Sequence, residues 1–182
     1  TISTTAAGVT GDWKYMGAVA VGTKLYFAPR NQDNVGVLDT ETDTFSTIST
    51  TGAGVTGHNK YMGGTAVGTK VYFAPLTQDN VGVLDTETNA FSTISTAGAG
   101  VTADQKYCGA VAVGTKVYFA PRNQDNVGVL DTDTDTFSTI STTGAGVTGH
   151  NTYMGRTEVA SHADFAPTTK ANVGVLDTAP HA

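Results

Sequence analysis

Short apolar stretches alternate with clusters of Gly, Thr, Asn and Asp along the whole chain, and the same order returns every 46 residues. The period is marked by a tyrosine, a phenylalanine, a proline and an aspartate, which are Tyr15, Phe27, Pro29 and Asp39 in the first copy. Four copies of 46 positions would fill 184, against the 182 residues of the chain. The sequence therefore predicts a single domain built from four repeats.

Each of the first three repeats contains four runs that alternate in hydrophobicity as short β-strands do, and the fourth repeat contains the first three of these runs. A two-residue Gly-Thr connection joins the first two runs, and glycine at its first position is typical of a type II′ hairpin, which needs a positive φ there. Polar turn residues separate the later runs. In the first copy the predicted strands are Gly17–Val21, Lys24–Ala28, Asn34–Leu38 and Thr44–Ile48.

Four antiparallel strands in a repeat of 40 to 50 residues are typical of a β-propeller blade. The run Gly-Ala-Val-Ala-Val suits an innermost strand, which must be small because blades converge on an axis. A β-solenoid is the alternative, but its coils are usually shorter. We predict blades at about 15–50, 61–96, 107–142 and 153–178, the last completed by a strand from residues 1–4. An eight-bladed ring made by dimerisation is favoured, with a four-bladed closed ring as the alternative.

Two runs in the third copy, Val117-Tyr-Phe-Ala-Pro121 and Asn126-Val-Gly-Val-Leu-Asp131, precede a polar turn, and each copy has a strand like Gly109-Ala-Val-Ala-Val113. This order resembles the Tyr-Val-Thr-Asn-type propeller repeat of surface-layer and other exported microbial proteins. The resemblance covers every repeat and implies a propeller with an extracellular, cell-surface or particle-surface location. The chain differs from that family in having Ala-Pro for Thr-Asn, longer repeats and a shorter Gly-Thr turn.

The composition limits the possible partners. The net charge is −6, and the ten Lys and Arg residues are spread along the chain, which argues against nucleic-acid binding. No apolar run approaches the roughly 18 residues that span a bilayer. Cys108 occupies the position of Met16, Met62 and Met154, so we predict a soft core residue instead of a nucleophile.

Differences between the repeats concentrate in two loops, the one before each first strand and the one after each conserved proline. In a propeller these loops emerge on the same face, which is where a ligand would bind, although drifting surface loops would show the same variation. Trp13 is the only tryptophan and is predicted to be a stacking platform for a sugar or peptide. The candidate ligand-binding residues are Asp12, Trp13, Arg30, His58, Asn59, Asp104, Gln105, Arg122, His150 and Asn151.

Metal and catalytic sites are weakly indicated. Asp131, Asp133 and Asp135 alternate in a turn and are a possible calcium site, but the run lacks the glycine and distal glutamate of an EF-hand, and a solvated turn explains it as well. No acids, bases or metal ligands recur at a spacing that would converge on one reaction centre. We therefore expect no cofactor and no enzymatic activity.

The fourth copy departs from the others in its first two strands. Arg156 and Glu158 replace small residues, and Asp164 replaces a tyrosine. Burying such charges without partners is costly, so we expect a looser, more solvated fourth blade. Taken together, the sequence favours a repeat scaffold or surface module that associates with itself. A carbohydrate- or peptide-binding propeller with a glycan or protein ligand is the alternative function.

Overall fold

The computed structural model describes residues 1–101, 104–159 and 161–179, without the side chains of residues 155–159. Its strands form four antiparallel sheets, here called blades 1 to 4. Blade 1 contains β1 (Tyr15–Val21), β2 (Lys24–Pro29), β3 (Asn34–Asp39) and β4 (Thr44–Ser49); blade 2 contains β5 (Tyr61–Val67), β6 (Lys70–Pro75), β7 (Asn80–Asp85) and β8 (Ala90–Ser95); blade 3 contains β9 (Tyr107–Val113), β10 (Lys116–Pro121), β11 (Asn126–Asp131) and β12 (Thr136–Ser141); blade 4 contains β13 (Tyr153–Val159), β14 (His162–Pro167) and β15 (Gly174–Asp177).

The predicted all-β fold and the strand order within each repeat are confirmed. Val21 pairs with Lys24 across the Gly-Thr turn, and Gly22 has φ +58°, as the hairpin prediction requires. The first strand begins two residues earlier than predicted, at Tyr15. A β-bulge between Tyr15 and Ala18 explains the difference, because it interrupts the alternation from which the strand was read.

The first strand of each blade is innermost. β1 packs against β5, β5 against β9, and β9 against β13, whereas no comparable packing joins β13 to β1 among the described residues. The four blades therefore lie along an open arc. Each blade has a forward face towards the next blade in the chain and a rear face towards the preceding one.

The rear face of each complete blade carries three aromatic rings packed over a glycine. In blade 1, Tyr15, Phe27 and Phe45 lie with ring centroids 5.9 to 6.2 Å apart. A Cβ atom on Gly36 would lie 2.8 Å from the Phe45 ring and 2.9 Å from the Tyr15 ring. Any larger residue at this position would push the rings apart, so the glycine sets the depth at which they sit. The Tyr15 hydroxyl then donates a 2.5 Å hydrogen bond to Asn34 Oδ1.

Hydrophobic packing between blades forms the core. Forward-face residues of blade 1, such as Val35 and Val37, pack with rear-face residues of blade 2, including Tyr61 and Phe73. The same combination recurs between blades 2 and 3. Tyr61 and Phe73 are fully buried, whereas the equivalent Tyr15 is only partly covered. The end blades thus keep one face that lacks the packing seen inside the arc.

Two buried lysines form ion pairs between neighbouring blades. Lys60 is fully buried, and its Nζ lies 2.9 Å from Oδ1 of Asp33 in the preceding blade. Lys106 and Asp79 make the same pair at 3.0 Å between blades 2 and 3. Burying an ammonium group is costly unless it is paired. The pairs therefore favour one alignment of adjacent blades.

Short 3₁₀ turns recur at 46-residue intervals, and three of those described directly follow the outer strands β4, β8 and β12. The turns are Thr5–Ala7, Thr51–Ala53, Ala97–Ala99 and Thr143–Ala145. The first three each contact the outer strand of the blade that follows them. Blade 4 has no outer strand among the described residues, and a groove of about 340 Å³ lies beside β15, lined by Ala145, Tyr153, Phe165 and Val175 among others.

Blade 4 is more solvated than its counterparts in the described part of the chain. Val173 and Val175 are 60% and 62% exposed, whereas the equivalent Val35 and Val37 are 0% and 6% exposed. The prediction that the charges of Arg156 and Glu158 loosen blade 4 concerns side chains that lie outside the described residues. No helix among the described residues is long and apolar enough to cross a membrane.

Replacing Gly82 with alanine should destabilise the protein by about 1–3 kcal/mol, because the new methyl group would lie 2.9 Å from the Phe91 ring and 3.0 Å from the Tyr61 ring. Urea unfolding followed by circular dichroism measures this loss. Gly98→Ala is the matched control, since nothing lies within 4 Å of that position. Equal stability of the two variants would contradict the role of the glycine in seating the rings.

Stability should fall at alkaline pH. Burial raises the pKa of Tyr15 to about 12 and also raises the pKa values of Tyr61 and Tyr107. The folded state therefore holds these protons more tightly than the unfolded chain, in which tyrosine titrates near pH 10. This contribution is complete below pH ~10 and is lost as the pH rises towards the folded pKa values.

Urea unfolding from pH 8 to pH ~11.5, with tyrosinate absorbance recorded in parallel, tests this expectation. Tyr61→Phe should be less stable at neutral pH, because it leaves Asn80 Oδ1 without the hydroxyl that donates to it. It should also lose less stability above pH ~10. A wild-type stability that stays constant across this range would contradict the prediction.

Candidate functional site

The two loops in which the repeats differ meet at one end of the blades, here called the loop face. Arg30 Nε donates a 2.8 Å hydrogen bond to Asn59 Oδ1 of the next blade, and Arg122 makes the equivalent 2.9 Å bond to Asn151. The backbone N–H of Asn59 in turn donates to Asn31 Oδ1. These bonds bring together residues from adjacent repeats that were expected on a common face. Whether they bind a ligand stays a prediction.

Trp13 is prominent on the loop face. Its side chain is 63% exposed, and the Arg30 guanidinium carbon lies 4.6 Å from the centre of its ring. One ring face is therefore covered by a cation, as in other cation–π pairs, and the other is available for stacking. Trp13 also has φ +52°, a left-handed conformation that is unfavourable for a bulky side chain. Strain of this kind often marks a functional position.

Asn59 and Asn151 take the Trp13 position in blades 2 and 4 and have the same left-handed backbone, with φ +53°. Asparagine tolerates this conformation well, so the loop geometry belongs to the repeat, and Trp13 is the bulkiest side chain that it carries. Gln105 occupies the position in blade 3 with φ +54°. The loop face is therefore one backbone framework that presents different side chains.

An axial cavity of about 130 Å³ opens where the inner strands begin. It is lined by Met16, Met62, Cys108 and Met154 and by the glycines that follow the first three. The β-bulge in each inner strand makes this possible, because it breaks the alternation that would otherwise aim these side chains at a neighbouring blade. The inner strands also approach closely here, since a Cβ atom on Gly17 would lie 2.8 Å from the Gly63 Cα.

Two arginines lie against sulfur atoms of this cavity. Arg30 Nη1 is 3.3 Å from Met16 Sδ in its own blade, whereas Arg122 Nη1 is 3.8 Å from Met62 Sδ in the preceding blade. The equivalent of Met16 in blade 3 is Cys108, a shorter side chain whose thiol donates to the Tyr153 carbonyl at 2.6 Å. Arg122 therefore extends past its own blade.

The remaining candidate ligand-binding residues lie at the surface of the loop face. Asp12, His58, Asp104, Gln105 and His150 are exposed. No group of three or more His, Cys, Asp or Glu side chains that could hold a metal ion occurs within the described ranges. The side-chain contacts described on the loop face are made by arginine, asparagine and tryptophan.

The acidic turn considered for calcium lies at the opposite end of the blade. Asp131 Oδ1 accepts hydrogen bonds from the backbone N–H groups of Asp133 and Thr134, at 3.1 and 3.3 Å. Asp39 makes the same bonds in blade 1. These contacts are the turn chemistry that was the alternative explanation. Calcium binding by Asp131, Asp133 and Asp135 stays an untested prediction.

Sequence reasoning did not anticipate the axial cavity or the lysine pairs. The sequence predicted a soft core residue at Cys108 from its equivalence with Met16, Met62 and Met154, and it did not predict the bulge that turns these side chains to the axis. Cys108 is buried as expected, at 1% exposure, but it lies at the axis. Lys60 and Lys106 follow the same 46-residue period as Asp33 and Asp79, and this shared period was the available signal.

Neither protein-family models nor curated protein sequences match the chain. Several solved structures match it in fold. The chain is similar to virginiamycin B lyase from Staphylococcus aureus, with 12% identity and a TM-score of 0.65 over 84% of this chain and 48% of that one. It also resembles the computationally designed Ika4 protein, with 10% identity and a TM-score of 0.64 over 93% and 94% of the two chains.

A third similar structure is the extracellular domain of a putative one component system from B. thetaiotaomicron, with 11% identity and a TM-score of 0.63. It covers 90% of this chain and 22% of that one. The chain thus spans about half or less of two of these three structures. At such low identity the likeness shows the fold alone. The fold is that of a β-propeller-like repeat protein.

Proposed function

We propose that this protein is a non-catalytic binding scaffold, whose loop face recognises a carbohydrate or peptide ligand at an exposed location outside the cell. The observation that carries the proposal is Trp13, which is strained, 63% exposed and supported from one side by Arg30. Exposing a tryptophan and holding it in this backbone conformation both cost free energy. A ligand that stacks on the ring best explains why the residue is placed there.

Several features support a scaffold over an enzyme. The side chains that converge on the loop face are arginine, asparagine, methionine and tryptophan, which bind well but rarely transfer protons. The acidic and imidazole groups on this face are exposed and dispersed. The resemblance to surface-layer propeller repeats favours an extracellular, cell-surface or particle-surface role, and an extracellular domain is among the similar structures.

We further propose that two copies complete an eight-bladed ring. The groove beside β15 lies where the other blades carry an outer strand, and Thr1-Ile-Ser-Thr4 repeats the sequence of Thr47-Ile-Ser-Thr50. In blade 1 the outer-strand Ile48 pairs with Val35. Ile2 of a second copy would pair in the same register with Val173, which is 60% exposed. Such pairing satisfies the open edge of blade 4.

The binding proposal predicts that Trp13 fluorescence changes on addition of a glycan or peptide ligand. Trp13→Asn is the informative variant, because Asn59 and Asn151 occupy the equivalent backbone in blades 2 and 4. It should fold with equal or greater stability and lose at least about tenfold in affinity by calorimetry, a typical cost for removing a stacking aromatic. Unchanged affinity in this variant would exclude the tryptophan platform.

The ring proposal predicts a mass of about twice 18.7 kDa by light scattering after size-exclusion chromatography. Val173→Asp should give a folded monomer. The new carboxylate stays in solvent in the single chain and would be buried at the strand pairing only when a second copy binds. Ser92→Asp, which adds the same charge to an exposed site on the outer strand of blade 2, should remain dimeric. A monomeric wild-type protein with cooperative unfolding would instead favour a four-bladed ring.

A further inference from the structure

Two guanidinium groups approach the axial cavity from blades 1 and 3. Arg30 touches Met16 and Arg122 touches Met62, and both sulfur atoms line the same 130 Å³ space. The equivalent positions in blades 2 and 4 are Leu76, which is buried, and Thr168, which is exposed. Two positively charged side chains therefore border the cavity mouth, in a protein whose net charge is −6.

Each guanidinium is fixed in orientation but incompletely bonded. Its Nε–H donates to an asparagine of the next blade, and one Nη1–H points to a thioether. A thioether is a weak acceptor, and arginine has five N–H donors in a planar fork. Among the described residues, the ion pairs involve Lys60 and Lys106 and neither arginine. Within the described ranges, each fork is thus held in place with no carboxylate ion-paired to it.

This arrangement suits an oxyanion. Arginine binds carboxylate and sulfate groups through parallel N–H···O bonds, and a guanidinium that is already oriented loses little entropy on binding. The adjacent Trp13 ring offers its open face for the flat side of a sugar. The methionine-lined cavity between the arginines is apolar and adaptable. A sugar that bears an acidic group would contact all three surfaces at once.

Resting on the proposed binding function of the loop face, we infer that its ligand is an acidic saccharide, whose carboxylate or sulfate group is held by Arg30 and Arg122 at the mouth of the axial cavity. Because Arg30 contacts both Trp13 and the cavity rim, the acidic group lies next to the stacked sugar ring. Asn59 and Asn151 act as positioning residues for the two guanidinium groups.

The test is calorimetric binding of the full chain to trigalacturonate, to its methyl ester, and to a sulfated galactan oligosaccharide of similar length. Esterification removes the charge and keeps the sugar. We expect trigalacturonate or the sulfated oligosaccharide to bind at least about tenfold more tightly than the ester, as a charged hydrogen-bond pair requires. The stronger of the two acidic ligands identifies the oxyanion. Added salt should weaken this binding.

Arg30→Gln and Arg122→Gln should each reduce the affinity for the preferred acidic ligand by about tenfold or more, a larger loss than either variant causes for the ester. Arg30→Lys should not restore it, because lysine lacks the planar fork. Lys24→Gln is the charge-matched control, since it removes one exposed positive charge at the hairpin end of the blade and should have no effect. Circular dichroism confirms that each variant is folded.

The outcomes separate this inference from the broader proposal. Equal binding of trigalacturonate and its ester would overturn the acidic site and leave a carbohydrate-binding face intact. If a triglutamate peptide binds with the same arginine dependence and no saccharide does, the ligand class is wrong. If no saccharide and no peptide binds, both the inference and the proposed binding function fail.

Discussion

The architecture depends on the contact between aromatic rings and a glycine on the rear face of each blade. Because Gly36, Gly82 and Gly128 have no side chain, the tyrosine and two phenylalanines of each blade settle deeply enough for a neighbouring sheet to pack on them. Valines on the forward face of the preceding blade cover these rings. The described chain contains no α-helix and its single cysteine is free, so the core is built from sheet packing in which this contact recurs at 46-residue intervals.

The sequence predicted this framework well because it is encoded locally. The Gly22-Thr23 turn requires a positive φ, and the alternation within each run places valines and aromatics on opposite faces. Prediction failed where a tertiary contact overrides the local pattern. Lysine is usually exposed, so nothing in the neighbourhood of Lys60 indicates that Asp33 from another repeat would bury it. The bulge at Tyr15 similarly redirects Met16 towards the axis.

The candidate site was only partly readable for the same reason. Variation between repeats located the loop face, and the contacts between Arg30 and Asn59 support that interpretation. The sequence could not reveal that Trp13 would stack on Arg30, because that contact depends on the left-handed backbone at the tryptophan. It also could not indicate that Arg122 reaches Met62. That contact arises because Cys108, in the same blade as Arg122, is shorter than the methionine at the equivalent position of blade 1.

The lysine pairs are distributed unevenly along the arc. Thr152 replaces the lysine at the junction of blades 3 and 4, where Asp125 accepts a hydrogen bond from the Gly149 backbone, and Ala171 replaces the aspartate of blade 4. The first three blades are thus joined by lysine–aspartate ion pairs, whereas the described contacts of blade 4 with blade 3 are apolar packing and hydrogen bonds, such as the one from Arg122 to Asn151. Local opening starts where contacts are fewest. We therefore expect amide hydrogen exchange to begin at blade 4, ahead of the three blades that the lysine pairs join.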